Sequence, residues 1–578
     1  MAKMKGVLKK GLTCACAAAL CLTAGVAAVG CRSASSIEID PNRTQLYVSV
    51  YGGGVGTEWF NHVVEGFEEY TKDMNTFEEG KSGVQIVPEI NKTTTAGSAI
   101  LTNIANSGND VFFTEGAYYY DFVSQNKLAP INDVVTDPLT EFGENKTIES
   151  KMDQALQDFY KAPDNNYYAL PFYDGFYGII YNVDFFEDQN LYFAADYRDA
   201  DSLDMMFVES VDEERSLGPD GRTGVIEGID YSADDGLPAT YEDFYRLCER
   251  IVDLGHIPLI WPGMYPYVTS YVQYQMWADY EGRDQFYLNF SFDGMAKDLI
   301  NVSDNGEITE LPETKIDNSN GAMLQKQRGK YEVLKFMENI MHPEDPTDRF
   351  YHNLAFSPSL SNTDSQSTFL ASIVSTDNSQ IAMLMDGNWW EEEADSVGAF
   401  NSLVSYGYNR EDMRFGFMPF PKATDGQVGN TPRTVVSIND SMCMINAKTT
   451  GVRLEIAKMF LRYCHTDAAM QQFTIDTGMT KPFNYELTDT QESQLTYFGK
   501  EMYALKSPER DTDIVYPYSD NQIFLDNFSQ FHPYYWGFVI DGSYTPAESF
   551  RSGMSAEEYF RRMYTYQQPR WASWYEKL

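Results

Sequence analysis

Four residues stand where a sheet would present them to a ligand. Trp389 follows the apolar run Ile381 to Met385, and Trp261 ends the run Ile257 to Trp261; both fall in turn-rich segments. Glu115 follows the run Val111 to Thr114, and Asp174 lies just past the segment Tyr168-Ala169-Leu170-Pro171-Phe172. An indole offers a flat apolar face and a carboxylate accepts hydrogen bonds, so the chemistry on offer is non-covalent recognition. Covalent chemistry lacks its usual signatures: there is no HExxH, no GxSxG and no phosphate-loop motif. The six histidines show no paired metal spacing, and His256, just before a strand, reads as structural. The run Gly52-Gly53-Gly54-Val55-Gly56 fails as a dinucleotide fingerprint because Thr57 holds the place of the third glycine. It reads instead as a strand-to-helix turn that needs positive φ and close backbone approach. Asp220, Asp230, Asp234 and Asp235 offer oxygens to calcium, but without EF-hand spacing they read as a solvated loop. No metal and no cofactor is expected.

These residues need a scaffold, and the chain supplies one by alternation. Leu46 to Tyr51 reads as a strand, the glycine run as a turn, and a helix begins near Thr57 with Trp59, Phe60, Val63, Val64 and Phe67 on one face. Val84 to Pro88 is a second strand, Ala96 to Asn106 a helix stopped by Ser107-Gly108, and Val111 to Thr114 a third strand. Strand, helix, strand, helix, strand predicts a parallel sheet with helices on its faces. Ligands collect beyond the carboxyl ends of such strands, which singles out residues 51–58 and 114–120. A second α/β unit starts near Phe172, with a strand over Phe176 to Tyr181 and a helix starting at Asn182-Val183-Asp184. A Gly/Asp-rich insertion covers Leu217 to Gly236. Thr240 with Asp243 three residues on marks a capped helix, and the aromatic segment Trp261 to Tyr267 follows the next strand.

The first thirty residues are of another kind. Lys3, Lys5, Lys9 and Lys10 precede an apolar run from Leu12 to Val29, then Ala27-Ala28-Val29-Gly30 meets Cys31. A basic region, an apolar region and small residues at a cleavage site make a secretory signal peptide, residues 1–30. The cysteine at its end resembles the lipobox of bacterial lipoproteins, which implies lipidation at Cys31, a tether over 31–43 and a membrane anchor on the extracytoplasmic face. An uncleaved anchor helix is the alternative, because the apolar run is long. No other stretch is long and apolar enough to span a bilayer, so the mature body is expected to be soluble. At 43% hydrophobic residues it is too apolar to be disordered. The formal charge of −42 becomes −46 without the four signal lysines, which argues against nucleic acid as a partner. Cys248, Cys443 and Cys464 alone remain in the body, too few and too odd for a disulfide framework. Cys248 and Cys464 fall in apolar series with helical spacing and read as packed core.

Five segments, taken in order, resemble the extracellular solute-binding proteins of bacterial ABC importers, within them the maltose-binding-like, sugar-binding group. They are Ala105-Asn106-Ser107-Gly108-Asn109-Asp110-Val111-Phe112-Phe113 leading to Leu128-Ala129-Pro130-Ile131-Asn132; Tyr168-Ala169-Leu170-Pro171-Phe172 with Ile179-Ile180-Tyr181-Asn182; Ile381 to Trp389; Phe415-Gly416-Phe417-Met418-Pro419-Phe420-Pro421; and Glu455 to Leu461 running into Gln471-Gln472-Phe473. Insertions around 190–236 and 300–330 depart from compact members. The resemblance implies an α/β, two-lobed periplasmic-binding-protein-like fold with a hinge and an interlobe ligand cleft. The lobes are expected at 44–171 plus 432–483 and 172–431 plus 484–578. Closure around the ligand would be a hinge motion.

The resemblance also implies which residues meet the ligand. In the first lobe these are Glu58 and Trp59 near the first turn, then Glu115 and Tyr118. At the crossover they are Tyr173, Asp174 and Tyr177. In the second lobe they are Trp261, Tyr265 and Trp389, and from late segments Arg433 and Trp536. Sugar rings have apolar C–H faces and polar rims, which aromatics and carboxylates match. Trp59 shares a face with Val63 and Phe67 and reads at least equally as core, as Tyr177 and Trp536 could. Glu58 could serve only the helix N-terminus. Glu391, Glu392 and Glu393 read as a solvated face. The expected activity is capture of a carbohydrate, an oligosaccharide by the size of the chain, and its delivery to permease subunits, by a monomer and without catalysis. A secreted glycoside hydrolase, which also combines aromatics with paired carboxylates, is the alternative. A surface sensor on the same scaffold is a third reading, since fold alone does not decide function.

Overall fold

The structure, a computed structural model, describes residues 38–578 apart from 92–98, 116–118, 211, 227–228, 344–348, 376–378, 439–440 and 507–510. The expected signal peptide, Cys31, part of the tether and Tyr118 lie outside the described residues. In chain order the strands of the two main sheets are β1 (Thr44–Tyr51), β2 (Val84–Asn91), β3 (Val111–Glu115), β4 (Ala169–Pro171), β5 (Tyr177–Asn182), β6 (Ile257–Ile260), β7 (Ile381–Gly387), β8 (Phe415–Phe417) and β9 (Ser441–Ile445). The helices used below are α1 (Glu58–Thr71), α2 (Tyr241–Asp253), α3 (Tyr267–Ser291), α4 (Asn362–Ala371), α5 (Trp390–Ser396), α6 (Val452–Cys464), α7 (Asp467–Thr477) and α8 (Ala556–Tyr575).

The first sheet has the order β2-β1-β3-β9-β4. As the alternation of strand and helix predicts, β1 is parallel to β2 and β3. The late strand β9 inserts antiparallel between β3 and β4. In β1 the even positions Leu46, Val48 and Val50 are buried, the period of a strand packed harder on one face. In α1, Trp59, Phe60, Val63 and Phe67 turn inward, and the Phe67 ring meets Phe460 of α6 at 5.1 Å. The helices after β9 therefore complete the core of the first sheet although they lie some 400 residues on in the chain.

The second sheet has the order β8-β5-β7-β6. Here β5 runs antiparallel to both β7 and β8, and β7 parallel to β6. All seven residues of β7 are buried, as the unbroken apolar run suggests for a strand covered on both faces. The helix α2 carries the capping box expected of Thr240 and Asp243: the Thr240 hydroxyl accepts from the Asp243 amide, and the Thr240 amide donates to the Asp243 carboxylate. Asn182 caps the helix after β5 with a single bond, its side-chain oxygen accepting from the Phe185 amide. Cys248 and Cys464 are buried in their helices, as their spacing predicts, and Cys443 is buried in β9. Among the described residues no helix is long and apolar enough to cross a membrane.

The chain passes between the sheets at residues 172–176 and again before β9. These crossings are bonded to each other, the Ile438 amide donating to the Gly175 carbonyl at 2.8 Å. Asp174 sits at their centre and is wholly buried. It accepts from Ser437 and Thr480 hydroxyls at 2.9 Å each, from Lys506 at 3.3 Å and from the Tyr516 hydroxyl at 3.4 Å. A buried carboxylate persists only when so paired. Asp174 thus pins four stretches of chain at the crossing, and the expectation that it faces the ligand is corrected.

Candidate binding cleft

A cavity of about 440 Å³ opens between the two sheets. Its walls come from the carboxyl ends of β1, β3 and β7, the edge where parallel strands leave their loops free to meet a ligand. From β1 comes Tyr51, from β3 Glu115, from the crossover Tyr173 and from the start of β5 Tyr177. Trp389 comes from the turn after β7. Five of the twelve expected positions, Glu115, Tyr173, Tyr177, Tyr265 and Trp389, are therefore brought to one cavity.

Glycines seat the Trp389 indole. A Cβ on Gly387 would come within 2.3 Å of the ring, and one on Gly175 within 3.6 Å. From the other lobe, a Cβ on Gly54 would reach the indole at 3.3 Å. Gly54 and Gly56 have φ of +58° and +62°, so the turn needs positive φ and close approach, and what it approaches is the opposite lobe. The ring of Tyr177 stands edge-on to the indole at 4.9 Å, and Tyr271 lies 4.5 Å beyond Tyr177. Tyr267 and Tyr265 continue this aromatic wall at spacings of 5.4 and 5.7 Å.

Polar groups alternate with the rings. The Tyr173 hydroxyl donates to the Glu115 carboxylate. Gln366 of α4 donates to Glu393 at 2.9 Å and to Asp386 at 3.0 Å, joining a wall residue to a buried one. Burial first, and the charge of Glu393 second, push the Asp386 carboxyl up to about 7. Ser361, Asn362 and Thr363 at the start of α4 present hydroxyls and an amide to the same space.

The remaining expected positions that the structure describes lie elsewhere. Trp261 is fully buried against Tyr351 and Phe356, at 5.3 and 5.4 Å. It follows β6 directly, but its side chain turns into the core while Tyr265 reaches the cavity. Trp536 is also core, packed on Phe531 at 4.9 Å and Trp571 of α8 at 5.7 Å, with its indole N–H donated to Asn289. Glu58 is exposed in the first turn of α1, where it meets the helix dipole. Trp59 is buried, its ring 4.8 Å from Phe172. Arg433 borders a second cavity of about 350 Å³ that also holds Asp220, Asp230 and Asp234. Among the described residues no group of three or more His, Cys, Asp or Glu is arranged to hold a metal ion.

The triplet after Trp390 is not a solvated face. Glu391 and Glu392 are buried and face Arg410, at 3.6 and 3.3 Å, while Glu393 lines the cavity. Burial raises both buried carboxyls, Glu392 to about 7, against the opposing pull of Arg410. Sequence reasoning missed this because three consecutive carboxylates imitate a surface. It also missed Tyr51, although the carboxyl-end rule points at the loop that this residue begins. Tyr267 had a signal as the last residue of the aromatic run that leads into α3, and Tyr271 lies one turn further along that helix. Ile438 and His532, from distant loops, had none.

Residues 61–449, more than half of the chain, match the family of bacterial extracellular solute-binding proteins. No curated protein matches by sequence. Among solved structures, the binding protein RafE in complex with raffinose superposes with a TM-score of 0.53 at 12% identity, over 91% of this chain and 99% of that one. The apo form of RafE from Streptococcus pneumoniae gives 0.51 at 13% identity, over 92% and 99%. The GacH receptor of Streptomyces glaucescens, solved unliganded and with acarbose, gives 0.50 at 14% identity, over 91% and 98%. At such identities these likenesses speak for the two-lobed fold. With the family match they identify the chain: it belongs to the bacterial extracellular solute-binding proteins.

Proposed function

We propose that this protein captures an oligosaccharide in the interlobe cleft and hands it, unaltered, to the permease subunits of an ABC importer. The observation that carries the reading is the cavity lining: an indole and several tyrosines beside carboxylates, an amide and hydroxyls, drawn from both lobes. Flat apolar rings suit the C–H faces of sugars, and the polar groups between them suit the hydroxyl rims. Membership of the family and the sugar-bound relatives support the choice of ligand class. In this reading Glu115, Tyr173, Tyr177, Tyr265 and Trp389 contact the ligand, and Cys31 carries the lipid that holds the protein at the cell membrane. The lobes are 44–171 plus 432–483 and 172–431 plus 484–578, closing about the Asp174 crossing.

The test is a thermal-shift screen of the mature chain over mono- and oligosaccharides, with the recovered sugar analysed by mass. A ligand that binds only the native state raises the melting temperature by mass action. A shift with the sugar recovered intact supports the reading. Shortened sugar would favour the hydrolase, and no shift with any sugar would reject carbohydrate as the ligand.

A further inference from the structure

We propose that the lobes close with uptake of a proton by Glu392, at the seam where the glycine turn after β1 seats on the start of α5, so that closure is favoured as pH falls below neutrality. The proposal rests on closure of the two lobes and is independent of the class of ligand. Turn and helix meet at two places. A Cβ on Gly54 would reach the Trp389 indole at 3.3 Å, and one on Gly56 would reach Oε1 of Glu392 at 2.6 Å. Oε2 of Glu392 is the oxygen that accepts from Arg410, at 3.3 Å. Thus one carboxylate oxygen is bonded within its own lobe, and the other is turned toward the backbone of the opposite lobe. Glu392 stands outside the cavity lining, in the joint beside it.

The charged groups around this joint do not balance. Among the described residues, the Arg410 guanidinium serves Glu391 at 3.6 Å, Glu392 at 3.3 Å and Asp395 at 3.0 Å. Closure brings a further carboxylate, Glu58 at the start of α1, whose charge acts on Glu392 from the first lobe. Gly56 has no side chain with which to bond the oxygen it faces. A carboxyl moved out of water toward like charge takes up a proton more readily. In the closed arrangement burial, followed by Asp395 and Glu58, holds Glu392 up at about 7 against the pull of Arg410. When the lobes part, Glu58 and the Gly56 backbone withdraw, water reaches Oε1 and the value falls back toward the ordinary carboxylate range. The closed state therefore binds this proton more tightly than the open one, and by linkage the proton favours closure. Its contribution is full below the open-state value and is lost as pH rises through about 7.

The experiment reads the lobes directly, without a ligand. Spin labels are attached at Lys72→Cys in the first lobe and Glu242→Cys in the second, both exposed positions, in a mature chain lacking Cys31; Cys248, Cys443 and Cys464 are buried and stay unlabelled. Pulsed dipolar spectroscopy gives the ratio of closed to open molecules at about pH 5.5 and about pH 8. The ratio should be about threefold or more higher at the lower pH. In Glu392→Gln, which keeps the shape of the protonated group at every pH, the ratio should be equal at the two pH values and as high as that of the wild type at the lower one. Asp386 titrates near the same pH within the second lobe, so the comparison with Glu392→Gln assigns the effect. Glu58→Gln, a change on the exposed first turn of α1, should raise the ratio at about pH 8. A wild-type ratio that does not respond to pH, a response that persists in Glu392→Gln, or a ratio unmoved by Glu58→Gln would overturn the proposal. Failure of every sugar to bind would overturn the glycan reading and leave this one standing.

Discussion

Removing the Trp389 indole should cost binding far more than it costs folding. The ring is only half-buried, and its close neighbours are the backbones of Gly54, Gly175 and Gly387 and the edge of Tyr177 at 4.9 Å. Trp389→Ala therefore forfeits one edge-to-face pair, worth about 1 kcal/mol, and some half-exposed apolar area. For a chain of this size that lowers the apo melting temperature by only about 1 °C per kcal/mol. In the complex the same truncation removes a stacking face from a desolvated site, about 2 kcal/mol by analogy with interface hot spots, or roughly 30-fold in Kd. Titration calorimetry with the sugar found by thermal shift, beside a urea melt of the apo protein, separates the two effects. Trp389→Phe, which keeps an aromatic face, should recover part of the affinity. Unaltered affinity in Trp389→Ala would remove the indole from the site. An apo loss above about 4 kcal/mol would place it in the core with Trp261 and Trp536.

Other outcomes follow from the same contacts. Gly56→Ala would strain a residue at φ +62° and drive a Cβ to 2.6 Å from the Glu392 carboxylate, so sugar affinity should fall several-fold as the lobes are wedged apart; equal affinity by calorimetry would mean the lobes do not need that contact. Asp174→Ala strips the partners of Lys506, Ser437 and Thr480 and should lower stability in urea by about 3 kcal/mol; a loss under 1 kcal/mol would deny it the role of a pin. Asp386 has an ordinary value of 3.8 and a folded value of about 7, so the folded state holds its proton more tightly. Its contribution to stability is present below about pH 4 and is lost as pH rises to 7, by up to about 4 kcal/mol. Asp386→Asn should flatten that part of the pH profile of unfolding, and an unchanged slope would contradict the assignment. Cys31→Ser should release the protein from membranes or leave it unprocessed; a lipid-labelled variant in the membrane fraction would refute anchoring at that residue.

Much of the scaffold was legible because local patterns survive folding. The β1 and β3 runs, the Thr240–Asp243 capping box and the inward face of α1 each follow from a few neighbouring residues. The positive φ of Gly54 and Gly56 was also readable, though not that Trp389 and Glu392 stand opposite. Strand ends were legible as positions but not as directions: Trp261 and Tyr265 lie four residues apart, one in the core and one at the cavity. Asp174 looked like a ligand carboxylate because its partners, Ser437, Thr480 and Tyr516, lie more than 260 residues away. The buried Glu391 and Glu392 were hidden for the same reason, their counter-charge Arg410 lying beyond a short helix and a turn. Where a side chain's role depends on a distant partner, the local pattern carries no trace of it.

The account stands most directly on where a sugar binds. A crystal structure of the mature chain grown with the oligosaccharide from the thermal-shift screen would locate it. The account predicts an intact sugar between the lobes, one ring stacked on Trp389, with hydroxyls donating to Glu115 and Glu393. Sugar bound instead in the cavity of Arg433 and Asp234, with the interlobe cleft empty, would contradict it.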